Sequence, residues 1–374
     1  MINTDLLTNY SSEKYILFPN DYYPINNKLI KLLLDMNNAF HSDIIINEGN
    51  PIKLSILKKI FIDFNKRFIA KKSKLMDDVN KMQFHISFII VINDNEITVN
   101  ILCDKCNINI IAVILHAINT FCNLFNDHDY DGLTINIVLD NNNRIIDIPE
   151  TLDSYSEKIN YLKKNSLAFN VSGVTVRNKK IITLTRSEEI IKLLFHELIH
   201  YIELDDSLLN TTFNKNWSIE SDLNISETYT EFLAVILNSM YQSIHLNKLL
   251  NVSLKDIFSH IIQKEINYSI YLTSNILKFY GYNKYNYKSF FTNDKINKTP
   301  LPLWEYIFLR TMLMINLNNV IDDVPSDYKI INTNVLVNLL NNDNDLINGL
   351  AKLMLQQFDR NVSYNAVDLN WSKF

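Results

Sequence analysis

The sequence predicts an α+β fold. Two observations carry it. Runs of β-branched residues bounded by Asn, Asp and Gly fill the stretch from 84 to 185, while apolar residues at three- and four-residue spacings dominate both ends of the chain. The two patterns meet at "EEIIKLLFHELIHYIELDD" (188–206), an apolar helix with two histidines and a glutamate in its middle.

In chain order, "NNKLIKLLLDMNNAF" (26–40) and "IKLSILKKIFIDFNKRFIAKK" (52–72) have the spacing of amphipathic helices. "FHISFIIVI" (84–92) and "EITVNILC" (96–103) read as strands, and the "NDN" between them reads as a hairpin turn. A helix follows at about 108–126, then a strand at "LTINIVLD" (133–140), then two strand-like runs, "AFNVSGVTV" (168–176) and "KIITLT" (180–185). Thr185 and Glu188 have capping-box spacing at the start of the apolar helix. "ISETYTEFLAVILNSMYQSI" (225–244) is a second apolar helix, and further helices are expected near 252–265, 268–282, 301–318, 333–341 and 344–358. No internal repeat and no Gly/Ser/Pro-rich linker marks a sharp boundary.

Composition narrows the function classes. With 47% hydrophobic residues and a mean hydropathy of -0.04, the chain can bury a sizeable core. A net charge of -5 argues against a nucleic-acid partner. The one basic run, "KRFIAKKSK" (66–74), has only Phe64 and Phe68 beside it and reads as the solvated end of a helix. The start "MINTDLLTNYSSEK" lacks a basic segment followed by an apolar one, so no secretory signal is expected. No membrane span is expected either, because "INIIAVILHAINTFCNLF" (108–125) is interrupted by His116, Asn119 and Asn123. Three cysteines in 374 residues argue against a disulfide framework and for an intracellular location. The skew toward Asn, Ile and Lys suits AT-rich coding, and sequons such as Asn210-Thr211-Thr212 carry no weight against it.

The chemistry lies in His196-Glu197-Leu198-Ile199-His200. Residues i and i+4 of a helix stack on one face about 6 Å apart, so His196 and His200 can present two imidazoles to one ion. Glu197 is rotated by about 100° and can reach a water on the open side of that ion. This is the arrangement of a catalytic zinc: two nitrogen ligands and a carboxylate that takes the proton of the metal-bound water. Two core histidines with separate partners are the alternative, but burying the trio without a common partner costs several kcal/mol. One zinc per chain needs a third protein ligand. Glu227 and Glu231, four apart on the next apolar helix, and Asp206 are the candidates. Asp206, six residues after His200, resembles the ligand position of zincins with an extended motif, and it ranks lower because that motif has Gly three residues after the second His to turn the chain back, where this chain has Glu203. Cys103-Asp104-Lys105-Cys106, with Cys122 and His116 nearby, is a weak second metal or redox motif.

"NVSGVT" (170–175), "TRSEEIIKLLFHELIHYIELD" (185–205) and "ETYTEFLA" (227–234), with the order of predicted elements around them, resemble the catalytic domain of zincin metallopeptidases of the gluzincin branch. The likeness is closer to uncharacterised metallopeptidase-like proteins of large DNA viruses and more distant to the anthrax lethal factor protease domain. It covers roughly 165–245. The resemblance implies Glu227 as the third zinc ligand and Glu231 as the carboxylate that orients a ligand histidine, with the two roles open to exchange. It implies a zincin-like catalytic domain at 81–248 between helical regions at 1–80 and 249–374, the latter closing the cleft. It also implies hydrolysis of peptide bonds in a protein or peptide substrate, with Glu197 as general base. Gluzincins commonly draw an oxyanion donor from farther along the chain, for which Tyr306 and Arg310 are the first candidates and His245 and His260 the next. "NVSGVTV" would then be the sheet edge where a peptide adds as a strand, or an ordinary hairpin around Asn178. A viral origin would place the protein in host cytoplasm or virion. The rival function is an inactive zincin-fold interaction protein, and Glu197 separates the two, since a structural site needs no general base.

Overall fold

A computed structural model describes residues 7–8, 22–68, 79–140, 145–154, 156–158, 160–161, 172–205, 225–279, 304–324, 326–328, 361–363, 368–369 and 371. For 7–8, 64–68, 145–147, 279, 304–306, 361–363 and 368–369 it describes the backbone alone. The elements in chain order are β1 (Leu7–Thr8), α1 (Asn27–Phe40), β2 (Ile45–Glu48), α2 (Leu54–Phe68), β3 (Phe84–Ile92), β4 (Asn95–Cys103), α3 (Ile108–Leu124), β5 (Thr134–Leu139) and β6 (Ile145–Asp147). They continue with β7 (Gly173–Val176), β8 (Ile181–Leu184), α4 (Ile190–Tyr201), α5 (Ile225–Asn247), α6 (Leu254–Phe279), a π-helical turn (Trp304–Leu309), α7 (Arg310–Ile315), α8 (Leu317–Asp323), β9 (Asn361–Ser363) and β10 (Asp368–Leu369). The fold is α+β, as the two sequence patterns require.

Six strands form a mixed sheet in the order β2-β3-β4-β5-β8-β7. The β3–β4 hairpin turns at Asn93 and Asp94, both at positive φ, the conformation a two-residue turn between twisted strands demands. β5 lies parallel to β4 and β8, while β7 runs antiparallel to β8 and forms one edge. β7 is thus both an edge strand and half of a hairpin, joined to β8 through a short 3₁₀ turn at Arg177–Lys179. The opposite edge, β2, is a strand that the sequence pattern does not announce.

Strand periodicity sends alternate residues to opposite faces. Leu102 and Val138 pack under α2 with Leu57 and Phe61, whereas Ile101 and Ile137 face the main core. Asn100 and Asn136 share the α2 face, where Asn100 Nδ2 donates to Asn136 Oδ1 in a buried hydrogen bond of 3.1 Å. Helices α1 and α3 begin at Asn26 and Asn107, whose side chains accept from backbone amides of the first turn.

The main core centres on α5, which packs against α1, α4, α6, α7 and the π-helical turn. Almost every residue of α5 from Ile225 to Leu246 is buried, so both this helix and α4 run through the interior rather than along its surface. Two expectations change here. The helices expected at 252–265 and 268–282 are one helix of 26 residues, because nothing between them breaks the turn. The helix expected at 301–318 is divided at Leu309 and Asn316. The helices expected at 333–341 and 344–358 lie outside the described residues. Among the described residues, no helix is long and apolar enough to cross a membrane.

His116 and His245 sit in an aromatic cluster with Phe40, Tyr241 and Trp371. Burial, with Lys248 close by, pushes His116 down to about 4 and His245 down to about 3. The unfolded chain therefore takes up these protons first. Stability present above the ordinary histidine value near 6.5 is lost as pH falls toward 4. Denaturant titrations should give a lower midpoint at pH 5 than at pH 7, and His245→Phe should reduce that difference. An unchanged midpoint would remove this cluster as a source of acid sensitivity.

Candidate metal centre

The helix that carries the histidines starts later than the capping-box spacing implies. Thr185 donates its hydroxyl to the Ser172 carbonyl at 3.1 Å, and Glu189, in the left-handed region at φ 51, occupies the N-cap without a side-chain capping bond. From Ile190 to Ile199 every residue of α4 is buried, including Lys192, His196 and Glu197.

The i, i+4 spacing turns both imidazoles toward α5, where Glu227 meets them. His196 Nε2 and His200 Nε2 stand 3.1 Å apart, and Glu227 Oε2 lies 3.2 Å from the first and 3.4 Å from the second. Among the described residues, His196, His200 and Glu227 are the one group of His, Cys, Asp or Glu side chains whose donor atoms converge in this way. A tetrahedral zinc with donors at about 2.0–2.1 Å requires those donors to stand roughly 3.3 Å apart, so the three atoms fit one such ion and, among the described residues, leave its fourth position open.

Each histidine is turned by a carboxylate on its other nitrogen. His196 Nδ1–H donates to Glu231 Oε2 at 3.1 Å, and His200 Nδ1–H donates to Asp205 Oδ2 at 2.9 Å. These bonds assign the proton to Nδ1 and leave the Nε2 lone pairs facing each other and Glu227. Burial lowers both imidazoles, but Glu227 and Glu231 outweigh it to hold His196 up at about 9, and Asp205 and Glu227 hold His200 up at about 10. Burial likewise raises Glu227, and the two histidines more than reverse it, keeping its carboxyl well below the usual range. The pocket therefore favours a cation shared by the three groups, whether protons or a metal ion.

Asp205 was hidden from the sequence because its position depends on Glu203. That residue adopts φ 61, the left-handed conformation for which the sequence argument demanded Gly, and its side chain is held by Arg177 at 2.9 Å. The chain thus turns back after α4 with a non-glycine residue, and Asp205 reaches His200. Asp206 lies outside the described residues.

Arg310 has a different placement from that expected of an oxyanion donor. Its side chain is fully buried behind Glu231, donating to Glu231 Oε1 at 3.3 Å and to Ser269 Oγ at 2.9 Å. Tyr306 falls in the π-helical turn, but its side chain lies outside the described part. His245 belongs to the aromatic cluster, and the His260 ring rests against Tyr22. Cys103 and Cys122 are buried, Cys106 is exposed, and all three are free thiols.

Glu197 faces the edge strand. Thr175 Oγ1 lies 2.7 Å from Glu197 Oε2 and 2.9 Å from the Glu197 carbonyl, so one hydroxyl proton is shared between two acceptors. A Cβ at Gly173 would stand 2.8 Å from both Cγ and Cδ of Glu197 and overlap its carboxylate. Gly173 and Thr175, two apart on one strand face, thus form the seat of this side chain. Burial raises the Glu197 carboxyl above its ordinary value, against the lowering effect of the two histidines and the Thr175 bond. Gly173→Ala should cost about 1–3 kcal/mol by overpacking and displace the Glu197 carboxylate. Chemical denaturation should record the loss while zinc content stays at the wild-type value; unaltered stability would mean that the seat has room to spare.

Comparison with known proteins gives one full-length likeness. The chain is 40% identical over 382 residues to "Uncharacterized protein R210" of Acanthamoeba polyphaga mimivirus, covering 99% of each chain. No family model matches the chain. No solved structure matches it either.

Proposed function

We propose that this chain, which belongs to the same family as mimivirus protein R210, is a zinc-dependent metallopeptidase. The observation that carries the reading is the convergence of His196 Nε2, His200 Nε2 and Glu227 Oε2 within 3.1–3.4 Å of one another, with each ring turned by a carboxylate on its Nδ1. Such a donor set suits zinc, and three donors among the described residues, one short of a tetrahedron, suit a catalytic rather than a structural ion. The gluzincin-like reading draws further support from the element order: hairpin, α3, β5, edge strand β7, β8, the histidine helix and the glutamate helix.

Bound zinc would supply Lewis acidity toward a scissile carbonyl and lower the pKa of its water. His196, His200 and Glu227 would hold the ion. Glu197, next in sequence to His196 and seated on β7, would take the proton of the attacking water and pass it to the leaving amine. A carboxyl raised by burial suits that exchange near neutral pH better than an ordinary one. β7 is an edge strand among the described residues, and its main-chain groups would pair with an extended peptide running beside the ion.

The test is hydrolysis of a quenched fluorescent peptide library by the full chain, before and after zinc chelation and after zinc is restored. The reading expects cleavage that disappears with the metal and returns with it. A zinc-loaded protein that cuts no member of the library would instead favour the interaction-protein reading.

A further inference from the structure

Behind the metal donors lies a chain of buried charges. Glu231 turns Oε2 to His196, and its other oxygen, Oε1, meets Lys192 Nζ at 2.6 Å and Arg310 Nη1 at 3.3 Å. Arg310 Nη2 lies 2.9 Å from Ser269 Oγ and 3.4 Å from Glu265 Oε1, while Ser269 Oγ–H donates to Glu265 Oε1 at 3.2 Å. Lys192 also approaches Glu189 at 3.4 Å, which in turn pairs with Arg186. Exposure is 0% for Arg310 and Ser269, 1% for Glu265, 3% for Glu231 and 6% for Lys192. Charges at this depth persist only when paired with good geometry, and a core of apolar residues would serve stability as well. The chain of pairs therefore asks for a reason beyond stability.

The division of labour within Glu231 supplies one. A carboxylate with both oxygens available to His196 could rotate and let the ring swing. With Oε1 pinned by two cations from different helices, Oε2 has one direction left, along the Nδ1–H of His196. We propose that Lys192 and Arg310 are positioning residues of the metal centre. They clamp Glu231, and through it the His196 ring, so that α6 and α7 contribute to metal affinity without touching the metal. This rests on the reading of His196, His200 and Glu227 as a zinc site.

The inference is separable from a merely structural role by sign. On charge alone, losing a nearby cation would tighten zinc binding; on positioning, it weakens binding. The measurement is the zinc dissociation constant of the full chain by competition with a chromophoric chelator. The variants are Arg310→Met, Arg310→Lys, Ser269→Ala and Phe61→Leu, the last a core change under the opposite sheet face. Arg310→Met should weaken zinc on the order of tenfold or more, the usual effect of losing a partner that orients a ligand. Arg310→Lys should recover most of that loss. Ser269→Ala, which removes the hydroxyl partner of Arg310 Nη2 and leaves it only the longer contact to Glu265, should weaken zinc about threefold, within the range below full loss of such a partner. Phe61→Leu should lower stability and leave zinc affinity alone.

Zinc held equally or more tightly by folded Arg310→Met overturns the clamp. Should Arg310→Met fail to fold, Ser269→Ala decides in its place, and unchanged affinity there overturns it. A wild type that binds no zinc removes the metal site and the clamp together. That result is distinct from a zinc-binding wild type whose variants do not differ, which sinks the clamp alone.

Discussion

Glu197→Gln should keep its zinc and lose between about 100-fold and 10,000-fold in peptide hydrolysis, the span that a general base contributes. Gln has nearly the size of Glu and can still accept from Thr175, so the 2.7 Å contact that seats the side chain on β7 survives. What disappears is basicity. Because Glu197 is not among the three converging donors, the substitution leaves the ion's protein ligands in place. Turnover of the best library peptide, set beside metal content for wild type and variant, reads both halves at once. Near-wild-type turnover by zinc-loaded Glu197→Gln would assign the base to another group.

Zinc removal should have the second large effect, on stability. A ligand present at 1,000 times its dissociation constant and bound only by the folded state contributes about 4 kcal/mol. At about 2–4 °C per kcal/mol for chains of this order, chelation should lower Tm on the order of 10 °C. Glu227→Ala should produce a similar fall and abolish the response to chelator. That variant also leaves two imidazole nitrogens 3.1 Å apart without the carboxylate between them. Scanning calorimetry with and without chelator measures the difference, and an identical Tm in all four samples would mean that no bound ion supports the fold.

The parts of this site that depend on local periodicity were legible in the sequence. Four-residue spacing alone brings His196 and His200 to one side of α4, and the same spacing puts Glu227 and Glu231 on one side of α5. β3, β4 and β5 were legible for the analogous reason, since their β-branched runs are longer than any helical alternative in the same window. The parts that depend on tertiary context were not. Asp205 reaches His200 only because Glu203 takes a left-handed conformation that propensity disfavours. Lys192 looks like the solvated residue of an amphipathic helix and becomes a buried partner of Glu231 only because α4 is covered on all sides. Arg310 could be linked to the site by its chemistry, but whether it faced the open side or the back of Glu231 was set by how α6 and α7 pack on α5. Gly173 reads as a residue of a permissive strand, whereas its missing Cβ is the space that the Glu197 carboxylate fills.

Metal content by elemental mass spectrometry, on purified wild type beside Glu227→Ala, tests the central claim most directly. About one zinc per chain in wild type, lost in Glu227→Ala, is the predicted result. Wild type without zinc, even after unfolding and refolding in its presence, would contradict it and leave His196 and His200 as core residues bonded to Glu231, Asp205 and Glu227.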